Sequence, residues 1–156
     1  MIIKATANDF AALVAGKAPD GFCLVPDSDI APSGVLTMLA ELAARIRYDF
    51  EPAAWMIVEG CEVVGLCSAT RVPENGELHI GYGVAPTRQG RGIATRAIGD
   101  LLDWARNDPR LRCVAAETSI DNLASQSVLE RNGFVRRGER LDREDGHLIC
   151  WIARAH

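Results

Sequence analysis

Gly81-Tyr82-Gly83-Val84-Ala85-Pro86-Thr87-Arg88-Gln89-Gly90-Arg91-Gly92-Ile93-Ala94-Thr95 joins a strand pattern to a helix pattern through a glycine-bearing loop. Ahead of the loop, Glu77 to Val84 reads as a strand; behind it, a helical pattern runs from Ile93 to Arg106. The first N–H groups of a helix have no intrahelical acceptor, and the macrodipole leaves partial positive charge there. A phosphate can take those bonds. Gly90 and Gly92 remove the Cβ atoms that would hold such a ligand away from the backbone. A strand, an anion cradle and a helix are therefore expected in that order.

Downstream, Ile93, Ala94, Ala97, Ile98, Leu101, Leu102 and Ala105 form one apolar stripe, and Asn107-Asp108-Pro109 ends the helix. Arg112 to Thr118 reads as a buried strand, parallel to Glu77–Val84 because a helix connects the two. A second helix starts at Asp121-Asn122 and stops at Asn132-Gly133, a left-handed cap. Segments 134–137 and 147–152 read as the last strands, with a charged loop over 138–147.

Upstream, Trp55–Glu59 and Glu62–Arg71 form a hairpin pattern, and Asn75-Gly76 turns the chain into the central strand. Residues 1–7 suit a short strand, with Asn8 or Asp9 capping a short helix. Residues 16–34, rich in Pro, Asp, Ser and Gly, read as a long surface loop. A helix then runs from Ser33 or Gly34 towards Glu51-Pro52, with a solvated cluster of Arg45, Arg47, Tyr48 and Asp49 at its end.

A chain of 156 residues suits one domain over 1–156. The net charge of −4 argues against nonspecific nucleic-acid binding, which needs basic surface, and fits a cationic substrate better. Cys23, Cys61, Cys67, Cys113 and Cys150 are odd in number and include no CxxC pair, so neither a disulfide framework nor a metal site is expected. They read as mostly buried thiols. No apolar run approaches the roughly 18 residues that span a membrane, and no secretory signal is visible, which points to the cytoplasm.

Gly90-Arg91-Gly92-Ile93-Ala94-Thr95 is also one residue short of the dinucleotide fingerprint GxGxxG, leaving a nucleotide-dependent oxidoreductase as an alternative. The loop, the following helix and strand, and Asn122-Leu123-Ala124-Ser125-Gln126-Ser127-Val128-Leu129-Glu130-Arg131-Asn132-Gly133-Phe134 together resemble the GNAT superfamily of acyl-CoA-dependent N-acyltransferases. The nearest branch is that of ribosomal-protein N-terminal acetyltransferases (RimJ/RimL type), and the likeness is strongest over 77–135. It implies an α/β GNAT fold: a mixed central sheet of about six to seven strands, a splayed parallel central pair and about four helices. Acetyl-CoA is the implied co-substrate. Its pyrophosphate would meet backbone N–H groups from Gln89 through Gly90, Arg91, Gly92 and Ile93 to Ala94, with Arg88 and Arg91 adding charge. Its pantetheine arm would lie against Gly83, Val84, Asn122 and Ser125. Thr87 departs from the family's Gln or Arg at the loop's first position.

The implied reaction is direct transfer of an acetyl group to a primary amine, either a small amine or a protein N-terminus, in a ternary complex. An amine attacks only when neutral, so a base must take a proton from a group with pKa about 10. Glu77, His79 and Glu117 are the candidates, with the Val84 N–H as the oxyanion donor. Relatives often carry a tyrosine acid at the position of Leu129, so the acid here falls to Ser125 or Ser127, or the thiolate departs unaided. Tyr82 reads as core. A non-catalytic acyl-CoA-binding module is the other alternative, and the C-terminal edge strands could support a homodimer.

Overall fold

The central strand is bounded as its pattern predicts. In the computed structural model, which describes residues 1–156, the order is β1 (Ile2–Lys4), α1 (Ala7–Val14), β2 (Cys23–Leu24), α2 (Ser33–Ile46), β3 (Ala54–Glu59), β4 (Glu62–Ala69) and β5 (Glu77–Val84). After the loop come α3 (Ile93–Arg106), β6 (Cys113–Ser119), α4 (Leu123–Arg131), β7 (Val135–Asp142) and β8 (Gly146–Arg154). One sheet runs β1-β3-β4-β5-β6-β8-β7, and β2 pairs with β4 beside it. Only β5–β6 and β2–β4 are parallel. This is the expected mixed α/β architecture with one strand more than the sequence suggests.

The turn into β5 takes the geometry that Asn-Gly favours: Asn75 and Gly76 have φ of 52° and 75°. Their positive φ matches the strand twist. Leu78 and Ile80 are buried on one face of β5, whereas Glu77 and His79 are on the other. Trp55, Leu78, Ile98, Leu101, Leu129 and Trp151 belong to the main core. In α3 the whole predicted stripe except Ala94 is buried, so burial of one helix face against the sheet holds the loop in front of it.

Several expectations are corrected. Thr6, not Asn8 or Asp9, caps α1: Thr6 Oγ1 accepts from Asp9 N–H and Asp9 Oδ2 accepts from Thr6 N–H, a reciprocal capping box. The segment 16–34 contains β2, which pairs with Glu62 and Val63 of β4 where β5 pairing has ended at Gly65. The pairing brings Cys23 to Cys61, and the two form a disulfide. Of the remaining thiols only Cys67 is buried. Finally, 138–147 is not a loop: β7 continues to Asp142 and turns tightly into β8. No helix is long and apolar enough to cross a membrane.

Candidate acyl-transfer site

The central parallel pair separates. β5 pairs with β6 only from Glu77↔Cys113 to Ile80↔Ala116, yet β5 continues to Val84 along β4 and β6 continues to Ser119 along β8. Beyond Ile80 the two strands diverge and open a cleft. Its walls are Gly83 and Val84 on one side and Asn122, Ser125 and Val128 of α4 on the other, and it runs into the loop before α3. The cleft holds about 520 Å³, within the range of small-molecule sites of roughly 300–1,000 Å³.

At the loop end, Gly90 and Gly92 have φ of 77° and 75°, the left-handed region that favours glycine. The first intrahelical bond of α3 is Arg96 N–H to Gly92 O at 3.1 Å, so the N–H groups of Ile93, Ala94 and Thr95 have no intrahelical acceptor. Gly92, the N-cap, offers no side-chain acceptor either. A diphosphate fits there: bare N–H groups face a cleft, and a Cβ on Gly90 would project into open space.

Gln89, Gly90, Gly92, Ile93 and Ala94 all line the cleft, but Arg91 does not. Arg88 lines it with most of its donors committed elsewhere. Nε and Nη2 donate to Glu62 at 3.2 and 3.3 Å, and Nη1 donates to Asp27 at 3.2 Å. Thr87 Oγ1 also donates to Asp27 at 3.0 Å. The Thr87 hydroxyl and then Arg88 hold the Asp27 carboxyl below its usual range. These residues clasp the 24–32 segment onto the anion loop, a contact across 60 residues that the sequence does not announce.

Asn122 caps α4 by accepting from Ser125 N–H at 3.1 Å, and it also faces the cleft. Asn132 Nδ2 donates to Thr95 O at 3.0 Å and Val128 O at 2.9 Å, fixing α4 to the first turn of α3 and setting the width of the cleft.

Tyr82 does more than fill the core. Alternation turns it away from Glu77, as read from the sequence, and its ring packs against the main core, but its hydroxyl reaches α4 and lies 2.7 Å from Ser125 Oγ. Burial raises the Tyr82 hydroxyl above its ordinary value near 10, partly offset by the Ser125 bond, so it remains a proton donor at neutral pH. Tyr82 and Gly83 also wall a second, smaller cavity under α2.

The three candidate bases differ sharply. Arg137 Nη1 and Nη2 donate to Glu77 at 2.8 and 2.6 Å, holding its carboxyl down to about 2. Arg140 Nη2 donates to Glu117 at 3.0 Å and likewise lowers it. His79 Nε2 lies 2.6 Å from Glu77 Oε1 and 2.6 Å from Arg71 Nη2, donating to the first in one tautomer and accepting from the second in the other. Burial and then Arg71 lower the His79 pKa, outweighing Glu77. Its ring is therefore neutral at pH 7. Gly81, two residues on and on the same face, lines the second cavity. No group of three or more His, Cys, Asp or Glu is placed to hold a metal.

The family model for the acetyltransferase (GNAT) domain matches residues 3–135. The chain belongs to this family. The ribosomal-protein-serine acetyltransferase of Escherichia coli (strain K12) is 33% identical over 85 residues, 54% of this chain and 48% of that protein. The N-alpha-acetyltransferase RimI of Mycobacterium tuberculosis (strain ATCC 25618 / H37Rv) is 36% identical over 85 residues, 52% and 51% of the two chains. The chain thus spans about half the length of the curated relatives it matches. A SpeG spermidine N-acetyltransferase chimera from Vibrio cholerae and hSSAT superposes with TM-score 0.72 at 16% identity over 99% of this chain and 95% of that one. The microcin C7 self-immunity acetyltransferase MccE, solved with acetyl-CoA and AMP, gives 0.71 at 16% identity over 98% and 91%. At those identities the likeness is one of fold. The GNAT assignment and the sheet order remove the oxidoreductase alternative.

Within this GNAT domain Leu129, which the resemblance sets where relatives often carry a tyrosine, is fully buried in the core. Leu129→Tyr is expected to destabilise the fold by about 1–3 kcal/mol, because it overpacks the site and buries a hydroxyl without a partner. Thermal unfolding checks it, with a lower midpoint expected and no gain in acetyl transfer.

Proposed function

We propose that this GNAT domain transfers an acetyl group from acetyl-CoA to a primary amine by direct attack in a ternary complex. The observation that carries the reading is the divergence of β5 from β6 beside an uncapped helix N-terminus. Acetyl-CoA supplies an acetyl carbonyl activated as a thioester and a thiolate leaving group. The N–H groups of Gly90, Gly92, Ile93 and Ala94 bind the diphosphate, while Gly83, Val84, Asn122 and Ser125 line the path of the pantetheine arm. The Val84 N–H stabilises negative charge developing on the carbonyl oxygen.

His79, neutral at pH 7, takes the proton of the attacking amine through water, and Glu77 fixes the ring as a positioning residue. As the N–C bond forms and the C–S bond breaks, the Tyr82–Ser125 hydroxyl pair protonates the departing sulfur. This pair replaces the acid missing at Leu129 and favours catalysis over a passive acyl-CoA-binding module.

Calorimetry with acetyl-CoA tests the reading. Wild-type protein should bind, and Gly92→Glu should weaken binding by about tenfold or more, because its carboxylate adds charge repulsion to a left-handed backbone site. Absence of binding by folded wild-type protein would overturn it; binding without CoA release in the presence of any amine would favour the binding module.

A further inference from the structure

The second cavity, of about 240 Å³, is separated from the cleft by Tyr82 and Gly83, which line both. Ile30 and Ala31 come to it from the 24–32 segment, Val35, Leu39 and Leu42 from α2, and Leu66 from β4. No charged side chain lines it. The charges nearest along β5 are already matched: Glu77 is held by Arg137, and the residue facing His79 from the β4 side is the cation Arg71. A polyamine or other polycation would find no carboxylate among the lining residues. The acidic balance of the whole chain does not extend to this wall.

Ser68 lines the cavity, but it is 5% exposed and its Oγ is buried behind that wall. The wall is therefore apolar in effect. The volume is below the roughly 300 Å³ at which sites for drug-sized ligands begin, so it suits a single side-chain-sized group.

We infer that this cavity selects the acceptor: a primary amine bearing one uncharged apolar group, aliphatic or aromatic. The inference rests on the acetyl-transfer reading and narrows its substrate class. The group is seated under α2, which leaves the amine at Gly81 and Gly83, on the β5 face that carries His79. A free amine and the N-terminus of a peptide with an apolar first residue share this chemistry.

The test uses CoA-loaded protein and four probes: phenethylamine, leucine amide, a peptide beginning with leucine, and spermidine. Calorimetry reads binding to the CoA complex, and thiol release reads transfer from acetyl-CoA. At least one apolar probe should exceed spermidine by tenfold or more in kcat/KM and in affinity. Preference for the peptide over leucine amide would assign the source to protein N-termini, and the reverse to small amines. Val35 is at the rim and 38% exposed, so Val35→Trp can fill the cavity without disturbing the core. It should raise KM for the apolar probe tenfold or more and leave acetyl-CoA affinity within twofold. Equal or better use of spermidine, or an unchanged KM in Val35→Trp, overturns the inference while transfer stands. Failure of the wild type to bind acetyl-CoA overturns both.

Discussion

Gly65→Ala is expected to destabilise the protein by about 3 kcal/mol and lower its thermal midpoint by about 6–12 °C. A Cβ on Gly65 would stand 2.2 Å from Gly83 O, and its next neighbours are backbone atoms of Gly83 and Val84 at 3.1–3.2 Å. No side chain can move aside. Either β4 and β5 separate where Gly65 opposes Val84, or the Gly83–Val84 backbone shifts into the cleft. Both outcomes damage the proposed oxyanion donor and the wall shared by the two cavities. Acetyl-CoA binding should therefore weaken in whatever fraction still folds.

The control is the same chemical change at Gly34, in the first turn of α2, where a Cβ meets nothing within 4 Å. Gly34→Ala should be neutral or stabilising by about 0.5–1 kcal/mol, because it reduces the freedom of the unfolded chain within a helix. Two glycine-to-alanine changes of opposite sign, measured by denaturant unfolding, would separate close backbone approach from a general cost of replacing glycine. A small loss at Gly65, within 0.5 kcal/mol of wild type, would show that β4 and β5 are not held so closely.

The same contrast explains what could be read in the sequence. β5, its Asn-Gly turn, the glycine loop and α3 were legible because each is specified locally: alternation, a dipeptide with positive φ and a 3.6-residue stripe act within a few residues. The parallel β5–β6 pair followed from the helix between them. Contacts across long separations were not legible. Cys23 reaches Cys61 only because β2 takes the part of β4 that β5 leaves free, and a two-residue strand has no periodicity. Alternation places Tyr82 with Leu78 and Ile80, and its ring does pack against the core. Its hydroxyl, however, reaches Ser125, 43 residues away, where β5 leaves β6 and the cleft opens. Glu77 is a candidate base by its place on the strand, yet Arg137, 60 residues on, occupies both carboxylate oxygens. Residue type and spacing located the cleft but not the ion pairs that decide which group can accept a proton.

His79→Ala should reduce kcat/KM for acetyl transfer by about 100-fold or more, the usual contribution of a positioned general base. A structural role could give a similar loss, so the pH profile is the more discriminating readout. A base works when unprotonated, so the rate rises with pH through its pKa, and burial with Arg71 puts that of His79 below the ordinary value of 6.5. The acid limb of the wild type should accordingly fall below 6.5, and His79→Ala should remove it. Neighbouring charges should move it in opposite directions. Arg71→Gln removes a cation that disfavours imidazolium, so the limb shifts to higher pH; Glu77→Gln removes an anion that favours imidazolium, so it shifts lower. The alkaline behaviour, set by the amine itself, should not follow either change. If the limb stays in place in both variants, His79 is not the titrating group. If both variants move it the same way, the changes act through the fold, because only a base flanked by these two charges responds to them with opposite signs.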